Sequence, residues 1–300
     1  MSIRASLVSF FLRQTIRKQF EKMDIEKLRN QNSGFGGKLP DELVTETVNA
    51  GGVAAEWVLW PGAAEDAVIL YFHGGGYVFG NPDSHRNLAW RLAKATGARV
   101  LVVDYRLAPD NPFPAAVDDA RTAYQWLLDQ GYATHKIVVA GDSAGGGLAA
   151  ALMVELRNLG IALPAAASLI SPWVDLALTG KSVSTNATKD VMLSPVTLEK
   201  FAALYLGDRD AKAPLASPIY ADLTGLPPVQ VLVGSTEVLY SDSERLVERI
   251  KAAGGEASLS VWPKMPHVFP ILAGLIPEAQ QAIEEIAAFI RRALGTSSLE

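Results

Sequence analysis

A short β-branched run, Ile137-Val138-Val139-Ala140, passes through Gly141-Asp142-Ser143-Ala144-Gly145 directly into the helix-forming stretch 146–156. The pattern predicts a buried strand that turns sharply into a helix. Glycines flanking Ser143 permit the turn, because side chains there would collide with the neighbouring strand and helix. Such a turn pushes the serine oxygen out of the sheet. It also aims the free N–H groups of the helix N-terminus at the space beside that oxygen.

A strand and helix joined in this way belong to a layered sheet, and the rest of the chain alternates accordingly. Helical patterns at 85–96, 116–130, 144–159, 242–253 and 279–294 are interleaved with strand patterns at 99–103, 137–140, 165–170, 229–234 and 257–262. The alternation implies a mostly parallel sheet covered on both faces, with its functional groups at the carboxyl ends of strands. Upstream, strands at 43–48, 53–60 and 67–72 are separated only by short turn-like joints, so they are expected to be antiparallel neighbours. Residues 1–31 read as helical, and Asn32-Ser33-Gly34-Phe35-Gly36-Gly37 as a loop. Region 176–225 breaks the alternation and is expected to lie over the sheet's carboxyl end. With the N-terminal helices it would form a cap.

Composition narrows the chemistry. A net charge of −5, with no lysine/arginine cluster carrying interleaved aromatics, argues against a nucleic-acid partner. The chain has no cysteine, which excludes disulfides, thiolate metal sites and a cysteine nucleophile, and fits a reducing, cytoplasmic setting. No uninterrupted apolar run is long enough for stable membrane insertion. At the N-terminus Ile3, Leu7, Phe10, Phe11 and Phe20 alternate with Arg4, Arg13, Arg17 and Lys18. This stretch is too short and broken for a signal peptide. It reads as an amphipathic helix packed on its own protein, with a membrane-surface or partner-binding helix as the alternative. Leu299-Glu300 reads as an expression-vector remnant.

Ser143 needs a base, and the chain has four histidines, His73, His85, His135 and His267. His135 precedes the 137–140 strand at its amino end, and His85 opens a helix; both read as surface residues. His267 follows the last strand in Lys264-Met265-Pro266-His267-Val268-Phe269-Pro270, a proline-stiffened loop at a carboxyl end, and is the expected base. His73 opens His73-Gly74-Gly75-Gly76-Tyr77 after a strand, a loop whose bare backbone can approach a ligand and donate to it. The N–H groups of Gly75, Gly76 and Ala144 are the expected oxyanion hole, with His73 shaping the loop. An acid should orient the base, and it should lie after the 229–233 strand. Glu237 and Asp242 compete there. Ser241-x-x-Glu244 reads as a capping box that would put Asp242 in a first helical turn, so Glu237 is preferred.

Taken together, HGGGY at 73–77, DYRLAPDNPFPAAVDD at 104–119, GDSAGG at 141–146, SPWVDL at 171–176 and the MPHVF loop around His267 resemble the bacterial hormone-sensitive-lipase-like α/β-hydrolase esterases. The resemblance covers essentially the whole chain. It implies an eight-stranded, mostly parallel sheet, in a catalytic body of residues 41–175 and 226–298, under a helical cap of residues 1–40 and 176–225. It also implies a serine carboxylesterase acting on short- to medium-chain acyl esters, with catalytic Ser143, Glu237 and His267 and without metal or organic cofactor. The 104–119 segment would brace the oxyanion loop, and a homodimer through a sheet edge follows by the same analogy. Many members carry Asp-Pro-Leu where this chain has Glu237-Val238-Leu239. An amidase or lactonase would share the triad. The plant gibberellin receptors resemble the family but have lost the histidine base, which is present here as His267.

Overall fold

The structure, a computed structural model, describes residues 1–22, 24–29 and 38–299. Three N-terminal helices, α1 (Ile3–Gln14), α2 (Ile16–Lys22) and α3 (Ile25–Arg29), precede strands β1 (Val44–Ala50), β2 (Val53–Leu59) and β3 (Ala64–Phe72). The expected loop at 32–37 lies outside the described residues. Alternation follows: α4 (Pro82–Thr96), β4 (Ala98–Val103), α5 (Ala115–Asp129), β5 (Ile137–Asp142), α6 (Ala144–Asn158) and β6 (Ala166–Ile170). After the short helices α7 (Lys181–Thr185) and α8 (Pro195–Leu206) it resumes with β7 (Val229–Gly234), α9 (Tyr240–Ala252), β8 (Ala257–Trp262) and α10 (Pro277–Leu294).

The eight strands form one sheet in the order β1-β2-β4-β3-β5-β6-β7-β8. Pairings β1–β2 and β2–β4 are antiparallel and all others parallel. The expectation that β2 and β3 are neighbours is therefore wrong. The helical crossover through α4 returns β4 parallel to β3, and β4 takes the place between them, with Val103 opposite Ala55 on one side and Phe72 on the other. Short joints in sequence do not force adjacency when a later strand pairs with both. Helix α4 starts three residues earlier than expected because Asn81 and Ser84 cap each other reciprocally and Pro82 opens the first turn.

Helices α4 and α10 pack together on one face of the sheet, and α5 and α6 on the other. Strands β5, β6 and β7 are buried at every position, which is why they read as continuous apolar runs. Helix α6 is buried along most of its length because its first turns carry only small residues. A Cβ on Gly145 would stand 2.0 Å from the carbonyl oxygen of Phe72, so only glycine lets the helix start against β3.

The 176–225 region and the N-terminal helices meet. Phe20 of α2 packs on Phe79 and Phe201 at ring-centroid distances of 5.4 and 6.3 Å. Ser2 binds Glu278 at the start of α10, while Arg13 donates to the carbonyls of Thr188 and Lys189. Helix α1 is not the amphipathic helix the sequence suggested. Ala5 and Leu12 are buried, yet Ile3, Leu7, Phe10 and Phe11 face outward, so it is apolar on both sides. Leu299 is packed rather than trailing, its N–H donating to Lys94 O at 3.1 Å.

Gly145→Ala should cost about 3 kcal/mol or more in unfolding free energy, because a backbone carbonyl cannot yield as a side chain can. Gly160→Ala, at a left-handed φ of 68° with nothing within 4 Å, should cost only about 1–2 kcal/mol. Denaturant midpoints of the two variants check the contrast, and equal losses would contradict it.

Candidate active site

Ser143 sits at φ 53°, ψ −121°, a strained conformation for a side-chain-bearing residue. The neighbours hold it there. Its N–H donates to Ile170 O at 2.9 Å, and its carbonyl accepts from Gly147 N at 3.1 Å and Trp173 N at 2.9 Å. The turn points Oγ at His267, whose Nε2 lies 2.9 Å away. His267 follows β8 in the proline-rich loop, and its Nδ1 meets Glu237 Oε2 at 2.7 Å. All three side chains are buried.

Glu237 lies just past β7. Its Oε1 accepts from Gly234 N at 2.5 Å and from Ser171 Oγ at 2.7 Å. Ser171 Oγ in turn accepts from Val268 N at 3.2 Å, next to the base. The longer glutamate is thus held at both oxygens. Asn186 Nδ2 donates to Glu237 O at 2.9 Å, and Asp190 Oδ2 accepts from Val238 N at 2.9 Å, so the loop carrying Glu237 is tied to the 176–225 region.

Asp242 is buried but turned elsewhere. Its Oδ2 accepts from Val174 N and Asp175 N, both at 3.0 Å. The expected capping box does not form, because α9 begins at Tyr240. Ser241 instead exchanges hydrogen bonds with Ser182. Burial, with the charge of Asp175 added, pushes the Asp242 carboxyl up to about 8. At His267 burial works to lower the imidazolium, but the hydrogen bond and charge of Glu237 outweigh it and the net shift is upward. Burial raises the Glu237 carboxyl, against the pull of His267.

The glycine loop supplies donors. Among the described residues the N–H groups of Gly75, Gly76 and Ala144 meet no protein acceptor. Gly75 has φ 122°, and a Cβ there would stand 2.0 Å from Phe79 O. Beneath the loop runs a buried network. Asp142 Oδ1 accepts from Tyr71 OH at 2.7 Å and Gly74 N at 3.1 Å, and His85 Nε2 stands 3.2 Å from Gly74 N. His73 stacks on Tyr105 at 4.3 Å, and Tyr105 OH donates to His73 O at 2.7 Å. Burial and neighbouring His85 push the His73 imidazole down to about 3, so it stays neutral. For Asp142 the raising effect of burial is outweighed by His85 and Tyr71, which hold its carboxyl low.

The reading of His85 as a surface residue is corrected. It is buried under the glycine loop because the Asn81–Ser84 cap turns the start of α4 inward. His135 is exposed as expected. Sequence reasoning also missed Ser171, Asn186 and Asp190. A polar residue ending a strand beside Pro172 was a usable signal for Ser171. Asn186 and Asp190 lie in an aperiodic stretch where nothing local points to them.

An apolar cavity of about 100 Å³ opens onto Ser143 and His267, lined by Phe20, Phe79, Trp173, Leu198, Phe201 and Ile271. A wider groove of about 700 Å³, lined by Glu65, Arg99 and Lys136 among others, lies at the amino ends of the strands, away from Ser143. Among the described residues no three His, Asp or Glu side chains stand close enough to hold a metal ion.

The α/β hydrolase fold family matches the chain over residues 69–271. An acetyl-hydrolase of Streptomyces hygroscopicus is 45% identical over 250 residues, covering 83% of each chain. The carboxylesterase/phospholipase LipF of Mycobacterium tuberculosis is 38% identical over 267 residues, 85% of this chain and 71% of LipF. Among solved structures, an esterase from the bacterial hormone-sensitive lipase family superposes with a TM-score of 0.90 at 45% identity, over 98% of this chain and 99% of that one.

The raised Asp242 carboxyl has a measurable consequence. A folded-state value of about 8, against 3.8 for the free group, contributes stability that is present below about 4 and lost as pH rises toward 8. Asp242→Asn carries no such titration. The stability of the wild type relative to Asp242→Asn should therefore decline between about pH 4 and pH 8 and level off above. A pH-independent difference in unfolding midpoint would contradict the assignment.

Proposed function

The chain belongs to the α/β hydrolase fold family, within its hormone-sensitive-lipase-like esterases, and we propose that Ser143, His267 and Glu237 are the triad through which this serine carboxylesterase works. The observation that carries the residue assignment is the continuous hydrogen-bonded chain from Ser143 Oγ through His267 to Glu237, at 2.9 and 2.7 Å, beside three N–H groups without protein acceptors.

An ester enters with its carbonyl oxygen toward the N–H groups of Gly75, Gly76 and Ala144. His267 Nε2 takes the Ser143 proton as Oγ attacks the carbonyl carbon. Negative charge moves onto the carbonyl oxygen, where fixed backbone donors are worth about 2.7–4 kcal/mol each in the transition state. The tetrahedral intermediate collapses, His267 gives its proton to the departing alcohol, and the acyl group stays on Oγ. Water then attacks the acyl-serine carbonyl as His267 takes its proton; the second tetrahedral intermediate breaks its bond to Oγ, His267 returns the proton to Ser143 Oγ, and the carboxylic acid leaves. Glu237 holds the imidazole tautomer and stabilises its charged form. The acyl-serine route needs no metal and no organic cofactor.

Residues 1–40 and 176–225 act as the cap, supported by Phe20 and Phe201 lining the cavity above Ser143. Its small apolar volume favours short- to medium-chain acyl groups. A homodimer would form through an edge of the sheet, which β1 and β8 bound. A cysteine-free chain suits the cytoplasm.

Ser143→Ala should lower p-nitrophenyl butyrate hydrolysis by about 10⁴-fold or more, and unchanged turnover would remove Ser143 from the mechanism. Glu237→Gln should cost about 10²–10⁴-fold in kcat, while Asp242→Asn stays within about tenfold. Activity requires neutral His267, whose imidazolium is held above the ordinary value of about 6.5. The rate should therefore rise with pH through a midpoint above about 6.5, and a flat profile there would contradict His267 as base.

A further inference from the structure

Among the described residues, none covers the outward face of α1. Ile3, Leu7, Phe10 and Phe11 are 82, 66, 68 and 62% exposed, while Ala5 and Leu12 on the inner face are 1% exposed. A helix apolar all round is ordinarily buried on all sides. Among the described residues ten large apolar side chains are exposed, and five of them, Met1 included, fall in the first eleven positions. Positions 3, 7 and 10 share one helical face, so these side chains form a stripe rather than a scatter.

The charge around the stripe has one sign. Residues 1–22 carry Arg4, Arg13, Arg17, Lys18 and Lys22 against Glu21 as the one acid, in a chain whose net charge is −5. Arg4, Lys18 and Lys22 are exposed. Arg13 binds backbone carbonyls, and Arg17 binds the carbonyls of Ala187 and Asp190 as well as Glu21. The helix is anchored at both ends, by Ser2 on Glu278 and by these arginines on the 187–190 segment. Its direct continuation, α2, supplies Phe20 to the Ser143 cavity.

We propose that the outer face of α1 seats the protein on an anionic lipid surface. Ile3, Leu7, Phe10 and Phe11 enter the acyl boundary, and Arg4, Lys18 and Lys22 meet the phosphates of the headgroups. A helix of 12 residues, about 18 Å long, lies in the interface and does not cross it. No helix among the described residues is long and apolar enough to span a membrane. A second copy on the same stripe would bring two positive rims together, whereas an anionic surface complements them. Esters partitioned into the lipid then reach the cavity past Phe20, a consequence that rests on the esterase reading of Ser143; the docking itself does not.

Vesicle flotation tests it with the whole chain. Wild type and Ser143→Ala should float equally with vesicles of phosphatidylcholine and phosphatidylglycerol, and less with phosphatidylcholine alone or in high salt. Leu7→Glu/Phe10→Glu should lower the partition coefficient by about tenfold or more while keeping p-nitrophenyl butyrate hydrolysis, which reports that the variant is folded. Leu7→Ser/Phe10→Ser, a milder change, should fall between. Arg4→Glu/Lys18→Glu should weaken binding to the anionic vesicles selectively. Wild type left unbound by anionic vesicles overturns the proposal, as does a double glutamate variant that floats like wild type. So does a wild-type dimer that Leu7→Glu/Phe10→Glu turns into monomer, since the face then belongs to a second copy. Flotation by a protein that hydrolyses no ester would leave the docking intact and remove the esterase reading.

Discussion

The close approach of α6 to the end of β3, with Gly145 against the carbonyl of Phe72, sets the position of everything else in the site. It forces the chain through an unfavourable turn at Ser143. That strain is offset by hydrogen bonds from three directions, to Ile170 in β6 and from Gly147 and Trp173. The same contact brings the glycine loop after β3 beside the N-terminus of α6. Ser143 and the backbone donors of the glycine loop therefore come from adjacent strands of one rigid sheet, and no loop has to reach far to bring them together.

Burial without satisfaction would be costly for the charged groups gathered here, and the structure answers it case by case. Glu237 has donors at both carboxylate oxygens. Asp142 is met by Tyr71, Gly74 and His85, which keep it ionised under the glycine loop. Asp242 has two backbone donors and an acidic neighbour in Asp175, and it holds its proton instead. Three buried carboxyls thus take different states from different partners. Asn186 and Asp190 extend this order outward, because the backbone beside Glu237 is braced by residues of the region above the sheet. Packing of that region and orientation of the His267 imidazole are coupled through these two hydrogen bonds.

The N-terminal helices add an apolar layer with two different surroundings. One side is committed to the protein through Ala5, Leu12 and Phe20, and the other presents aromatic and aliphatic side chains outward. Polar contacts at the helix ends, rather than a deep apolar seat along its length, keep α1 in place. Such an arrangement leaves the outer apolar side uncovered among the described residues.

Local patterns in the sequence were enough for the alternating strands and helices, the turn at Ser143, the glycine loop and the place of His267 in the proline-rich loop. Each of these is written in a few consecutive residues whose backbone demands or periodicity are specific. The place of β4 between β2 and β3 was not legible, since pairing of distant strands depends on both edges of the sheet at once. Nor were the burial of His85, the outward face of α1, or the support that Ser171, Asn186 and Asp190 give to Glu237. A histidine in a first helical turn looks solvent-facing until the loop it supports is folded over it. The sequence favoured Glu237 over Asp242, but on a capping box at Ser241 that does not form. Both carboxylates follow the same strand, and only the direction of each side chain decides which one meets the imidazole. Sequence determines which groups are available at the carboxyl ends of the strands; tertiary structure decides which of them face each other, because hydrogen bonds act over about 3 Å between residues that lie far apart along the chain.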